Sequence, residues 1–198
     1  NGYLVGPSAK LSNADLSNTD LSNASLGKAD LTNANLTGAN LTGANLTTAT
    51  LKGVTSGGIT GNPFLPTGWK LANGYLIGRG ANLANADLTN ADLTNADLTY
   101  VISGGITGTP RLPTVWKIVN GYLLGPYSNL ANANLSNANL SYANLYNANL
   151  TGANLSGATL LGANLYQANL TNAVLTGTNF SAARCPNGVV HGNVGASC

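Results

Sequence analysis

The chain has 198 residues, enough for one large domain or two small ones. Eight are basic, six are Asp and none is Glu, so neutral Asn, Ser and Thr must carry solubility. A net charge of +2 supplies no field for nucleic acid or an acidic partner, and no apolar run reaches the roughly 18 residues that span a bilayer. The absence of Met and of a signal-peptide pattern reads as a mature or trimmed product whose natural start is missing.

The first block covers residues 9–56. Leu recurs every five residues from Leu11 to Leu51, and Ala stands two places before each one except at Thr19. The register resumes from Leu83 to Leu98 and again from Leu130 to Leu175, with Phe180 next; Ser128 and Thr178 are the other departures from Ala. Asn or Asp usually separates the pair, and two residues drawn mainly from Ser, Thr, Gly and Asn follow it.

A helix cannot use this pattern. Five residues advance roughly 500°, so successive Leu side chains would drift around the cylinder and make no apolar face. A flat strand fails too, because an odd period sends alternate Leu residues to opposite faces. A short extended piece followed by a corner does work: Ala and Leu point inward together, and the corner turns the next pair inward again.

Units such as "ADLSN" at 14–18, "ANLTG" at 34–38 and "ANLSY" at 138–142 resemble the Ala-(Asp/Asn)-Leu-X-X motif of the pentapeptide-repeat family. The resemblance covers residues 9–56, 81–103 and 128–185. It implies an all-β fold, a right-handed quadrilateral β-helix of about 20 residues per coil, with Ala and Leu inside and the other positions facing water. Leu16 is then expected to stack on Leu36. Residues 1–184 read as one such solenoid, with 185–198 as its cap.

Two near-copies of one insert interrupt the solenoid near 57–80 and 104–127. Each carries a Gly-Gly pair, a Gly-X-Pro, a second Pro and a Trp, at Trp69 and Trp116. Gly and Pro at this density mark turns. The Trp rings are expected over the outside of the wall, covering Leu65 or Leu112, because no Ala position could hold them. The chain opens with "NGYLVGPSAKL", the tail of a third copy. The inserts lie 47 residues apart, which is eight units plus seven looped-out residues or nine units plus two. The run at 61–67 is seven residues long and favours the first, with both loops on one face.

Chemistry is sparse. His191 is the only His, and the tail offers a metal only Cys185, His191 and Cys198, so neither a metal site nor a nucleophile–base pair is indicated. Asp87, Asp92 and Asp97 occupy consecutive units and should diverge onto successive faces, which calcium cannot use. "NLT" at Asn35 and Asn149 matches a glycosylation sequon that the repeat itself generates. No catalytic residue, cofactor or enzymatic activity is expected.

Cys185 and Cys198 form an even pair at the end of a chain with no catalytic context, which reads as a disulfide and an oxidising compartment. The "CPNG…C" ending also resembles the tails of secreted bacterial pentapeptide-repeat proteins, which implies an extracellular or cell-surface location. Such a bridge would cap the last coil, while the first coil has no evident cap, so more chain or another molecule is expected to stack on it.

Two function classes follow. The favoured one is a non-enzymatic extracellular structural or adhesive scaffold that self-associates through its coil ends into rods or filaments. The second is a binding module for a carbohydrate or protein, using the Trp69 and Trp116 loops or a face bearing Tyr146 and Tyr166, which stand 20 residues apart. Nucleic acid and membrane insertion are not expected. Members of the family that act on DNA gyrase imitate the charge of DNA, and six acids against eight bases do not fit that role.

Overall fold

The computed structural model describes residues 2–190. Its walls consist of isolated parallel bridges instead of long strands. Lys10 pairs with Asp30, Asp15 with Asn35, Asp20 with Asn40 and Ser25 with Asn45, and Asp30 goes on to pair with Thr50. These bridged residues are 20 apart, a span of four repeat units. The Leu11 N–H donates to the Asp30 carbonyl at 2.8 Å, and the Asp30 N–H donates to the Ala9 carbonyl at 2.9 Å. This is the slanted pairing of a parallel ladder, reduced to one rung per unit.

The corners explain the last position of each unit. The Ala14 N–H donates to the Leu11 carbonyl at 3.1 Å, closing a four-residue turn whose third residue, Asn13, has φ of 60°. Such a turn favours Gly or Asn there, and Asn18, Asn23, Asn33, Gly38 and Gly43 fill the same place with positive φ. The central Asn or Asp serves both corner and ladder. Asp15 Oδ1 accepts the Ser17 N–H at 3.1 Å and the Asn35 Nδ2 at 3.2 Å.

Two compact units divide the chain. One comprises Asn1–Ile102 and Thr107–Arg111; the other comprises Ser103–Ile106 and Leu112–Cys198. The core of the first runs from Leu11 through Leu16 and Leu36 to Leu76. That of the second runs from Leu124 to Ala183 and includes Phe180. Each fully buried Leu contributes roughly 1.5–3 kcal/mol, and the Ala beside it keeps the axis narrow enough to pack. Leu170 and Leu175 are only partly buried.

Regular strands occur only in the inserts, among the described residues. Strand β1 (Lys70–Ala72) pairs antiparallel with β2 (Tyr75–Ile77), and β3 (Lys117–Val119) with β4 (Tyr122–Leu124). Asn73 and Gly74 join the first pair with φ of 50° and 76°, and Asn120 and Gly121 join the second with 50° and 76°. Two consecutive positive φ angles define the tight turn whose twist suits a hairpin.

The excursion differs from the expected loop at 61–67. Phe64, within that run, keeps a wall bridge to Asn45, with its N–H on the Ala44 carbonyl at 2.8 Å. The bridge offset is 20 residues at Thr60, 19 at Phe64 and 27 at Asn82. The wall therefore loses one residue before Phe64 and gains its extra length between Phe64 and Asn82, in the hairpin. Thr55 bridges Asn82, which bridges Ile102, so the positions that open the two inserts share one column, two bridges apart.

Candidate functional site

Each insert is a hairpin pinned at three points. In the first unit, Ser56 occupies a Leu position of the repeat, and its Oγ accepts the Leu76 N–H at 2.9 Å. The Tyr75 ring lies so close to Gly57 that a Cβ there would stand 3.2 Å from it. The Trp69 indole covers Gly78, where any Cβ would overlap the ring. In the second unit Ser103 Oγ accepts the Leu123 N–H at 3.0 Å, Tyr122 covers Gly104 and Trp116 covers Gly125.

Trp69 thus packs partly buried against the first core, and its ring is spent on its own hairpin. Trp116 is likewise only partly exposed. What the first insert leaves open is a recess of about 590 Å³ lined by Asn62, Pro63, Trp69, Leu71 and Asp92, with the Lys70 ammonium donating to the Asp92 carbonyl at 3.0 Å. In the second, the Lys117 ammonium donates to the Ser141 carbonyl at 3.0 Å, and partial burial lowers its pKa.

The tyrosines of the second unit do come together. The rings of Tyr146 and Tyr166 have centroids 6.0 Å apart and planes 35° apart. Tyr127 extends the column, meeting Tyr146 edge-on at 5.3 Å. The Arg184 guanidinium closes it, 4.2 Å from the centre of the Tyr166 ring, a cation–π contact. Tyr142 stands apart from this column, against Gly162. Tyr127 and Arg184 escaped sequence reasoning because Tyr127 precedes Tyr146 by 19 residues, one short of the period.

The aspartates stay separate. Asp87, Asp92 and Asp97 each accept the N–H and hydroxyl of their own threonine two residues on, Thr89, Thr94 and Thr99. The Thr89 hydroxyl and N–H hold Asp87 below the usual carboxylate pKa, and the Thr94 N–H and hydroxyl, with Arg111 and Lys70 nearby, do so for Asp92. Asp30 falls furthest, to about 2, under hydrogen bonds from the Thr32 hydroxyl, Ser12 and the Thr32 N–H, with Lys10 adding charge. Among the described residues no group of His, Cys or Asp could hold a metal. Cys185 is buried; its proposed partner Cys198, like His191, lies outside the described residues.

The pentapeptide-repeat profile matches the sequence in eight copies, over residues 8–53, 79–102, 127–157 and 148–184. The chain belongs to the pentapeptide-repeat family. Its fold is accordingly the family's right-handed quadrilateral β-helix. Among solved structures it is similar to HetL, a pentapeptide repeat protein involved in heterocyst differentiation regulation from the cyanobacterium Nostoc sp. Strain PCC 7120. Identity is 28%, over 93% of this chain and 63% of HetL, with a TM-score of 0.33. The chain thus spans less than two thirds of HetL's length. Rfr23 from the cyanobacterium Cyanothece 51142 is 23% identical over 85% of this chain and 82% of its own, with a TM-score of 0.27. Full-length QnrB1, a plasmid-mediated fluoroquinolone resistance protein, is 19% identical over 87% and 84%, with a TM-score of 0.22. No curated protein matches the sequence.

Profile matches skip most of each insert, so the pinned hairpins are additions to the pentapeptide-repeat wall. A pentapeptide-repeat wall also accounts for the tyrosine column: positions 20 apart face the same way, and each outward side chain meets its counterpart one strand spacing away.

Proposed function

We propose that this pentapeptide-repeat protein is a non-enzymatic, secreted structural or adhesive scaffold, built on coils of about 20 residues, that self-associates through its coil ends. The observation that carries this reading is a wall of stacked backbone bridges. Asp30 bridges both Lys10 and Thr50, one on each side. A coil of this kind can take another strand against it. In this reading the disulfide between Cys185 and Cys198 closes the other end, as expected for an oxidising compartment. Electron microscopy of the purified protein across a concentration series tests it: end-to-end filaments or rods are expected, and particles that stay single at every concentration would count against it.

A second reading has its own observation, the Tyr127, Tyr146, Tyr166 and Arg184 column, which offers half-exposed aromatic faces to a sugar ring or a protein partner. Replacing Tyr146 and Tyr166 by Thr and measuring binding to a glycan array separates it from a purely structural column.

A further inference from the structure

One corner recurs in three places with the same hydrogen bond. The Ala9 N–H donates to the Gly6 carbonyl at 3.2 Å, Ala81 to Gly78 at 3.0 Å and Ser128 to Gly125 at 3.2 Å. The third residue of each turn, Ser8, Gly80 or Tyr127, has positive φ, at 59°, 73° and 59°. Pro suits the second place of such a turn, and Pro7 and Pro126 occupy it in two of the three. The remaining turn has Arg79 there, a residue that the backbone does not ask for.

Arg79 is held on one side and open on the other. Its guanidinium lies over the Tyr100 ring, 4.5 Å from the centre, a cation–π contact. Its Nη1 donates to Thr99 Oγ1 at 3.1 Å and stands 4.0 Å from Asp97 Oδ2. Among the described residues no hydrogen bond uses its Nη2 or Nε, so that edge of the planar fork is open. Arg79, Lys52, Gly80 and Tyr100 line a recess of about 370 Å³, a size within the roughly 300–1,000 Å³ of small-molecule sites. A Cβ at Gly80 would stand 3.4 Å from Lys52 Cγ, so the lysine stem runs along that glycine. Among the described residues no carboxylate pairs with Lys52. Two cations therefore share one recess, and Asp97 offsets only one of them.

We propose that this recess binds a sulfate or phosphate ester carried on a sugar. The Nη2–Nε edge of Arg79 matches two oxygens of a tetrahedral oxyanion, and Lys52 supplies a point charge for a third. Thr99, Asp97 and Tyr100 fix the guanidinium in advance, which lowers the ordering cost of binding. The recess holds more than a lone oxyanion, and Tyr100, 43% exposed, gives the sugar ring an apolar surface beside hydrogen-bonding groups. A net charge of +2 gives no long-range steering, and recognition at hydrogen-bond range needs none. The site lies wholly within the first unit and depends on neither filament formation nor the tyrosine column.

Titration of the isotope-labelled full chain with glucose 6-sulfate and glucose 6-phosphate, followed by amide chemical shifts at constant ionic strength, tests the proposal. Saturable shifts are expected at Gly80, Thr99 and Tyr100, with weaker binding of inorganic sulfate and phosphate and none of glucose. Binding of one ester alone names the source of the oxyanion and supports the site. Arg79→Pro gives the turn the residue of its two counterparts and should weaken binding about tenfold or more; Lys52→Gln should weaken it about threefold or more. Both side chains are exposed, so neither change touches the core, and unchanged shifts away from the recess check that the fold is kept. Should Arg79→Pro disturb the fold, Arg79→Gln takes its place with the same expectation. No saturable shift with either ester, equal affinity for the inorganic anions or for glucose, or full affinity in the Arg79 and Lys52 variants overturns the proposal.

Discussion

Ser56 Oγ accepts the backbone N–H of Leu76 at 2.9 Å, and both residues are buried. A repeat that elsewhere demands Leu has Ser at this place because the hairpin brings its own Leu and an N–H that needs a partner. Ser56→Ala strands that N–H and should cost about 1–3 kcal/mol in denaturant melts; Ser103→Ala should do the same to Leu123. Ser56→Leu, although it restores the repeat, should also destabilise, because Leu76 already fills the space. A melt unchanged in all three variants would remove the hairpin pin from the account.

The close approach of Trp69 to Gly78 and of Trp116 to Gly125 gives a second test. Gly78→Ala or Gly125→Ala forces the indole off the backbone, with an expected cost of about 1–3 kcal/mol and a red shift of Trp emission as the ring meets water. Emission that keeps its wavelength would mean the ring does not lie on the glycine.

Acid should weaken the fold. Asp15, Asp20, Asp30, Asp87 and Asp92 all have folded pKa values below the ordinary 3.8, chiefly through hydrogen bonds from the Ser or Thr two residues on. A depressed carboxylate contributes stability that is complete above its unfolded pKa and is lost as pH falls through the folded one. For Asp30 that window runs from 3.8 down to about 2. The melting temperature should be flat above about pH 5 and fall towards pH 2, and Asp30→Asn should shallow the fall. A melting temperature that rises on acidification would contradict the carboxylate assignments.

Tyr146 and Tyr166 should be coupled. A double-mutant cycle with Thr at each is expected to give an interaction of about 0.5–1 kcal/mol, as for other cross-strand aromatic pairs. Additive losses would mean that the rings pass without interacting.

The solenoid was legible because a period of five admits few solutions: Ala14 and Leu16 can point inward with Ala34 and Leu36 only if a corner follows every unit. The inserts were misread at their centre. Pro63 and Pro66 drew the loop to residues 61–67, yet Phe64 stays in the wall because Pro63 sits beside the bridge and not in it. The true hairpin had a plain signal in Asn73-Gly74 between two apolar runs, a pair suited to two consecutive positive φ angles. The Trp rings looked available because their glycine seats lie nine residues on, a contact no periodicity announces. Tyr146 and Tyr166 were found at once by their spacing; Tyr127 was hidden because it fills the last, positive-φ position of its unit while Tyr146 fills the one before, the two meeting as Asn13 meets Thr32.

The scaffold account rests on association through the coil ends, and electron microscopy of the wild-type chain beside a variant with Pro replacing Ser25 measures it most directly. Ser25 bridges Asn45 alone among the described residues, so the variant perturbs the edge and not the column above it. The account predicts filaments that lengthen with concentration in the wild type and are lost in the variant while its circular-dichroism spectrum is kept. Single particles in both, or filaments of equal length in both, would contradict it.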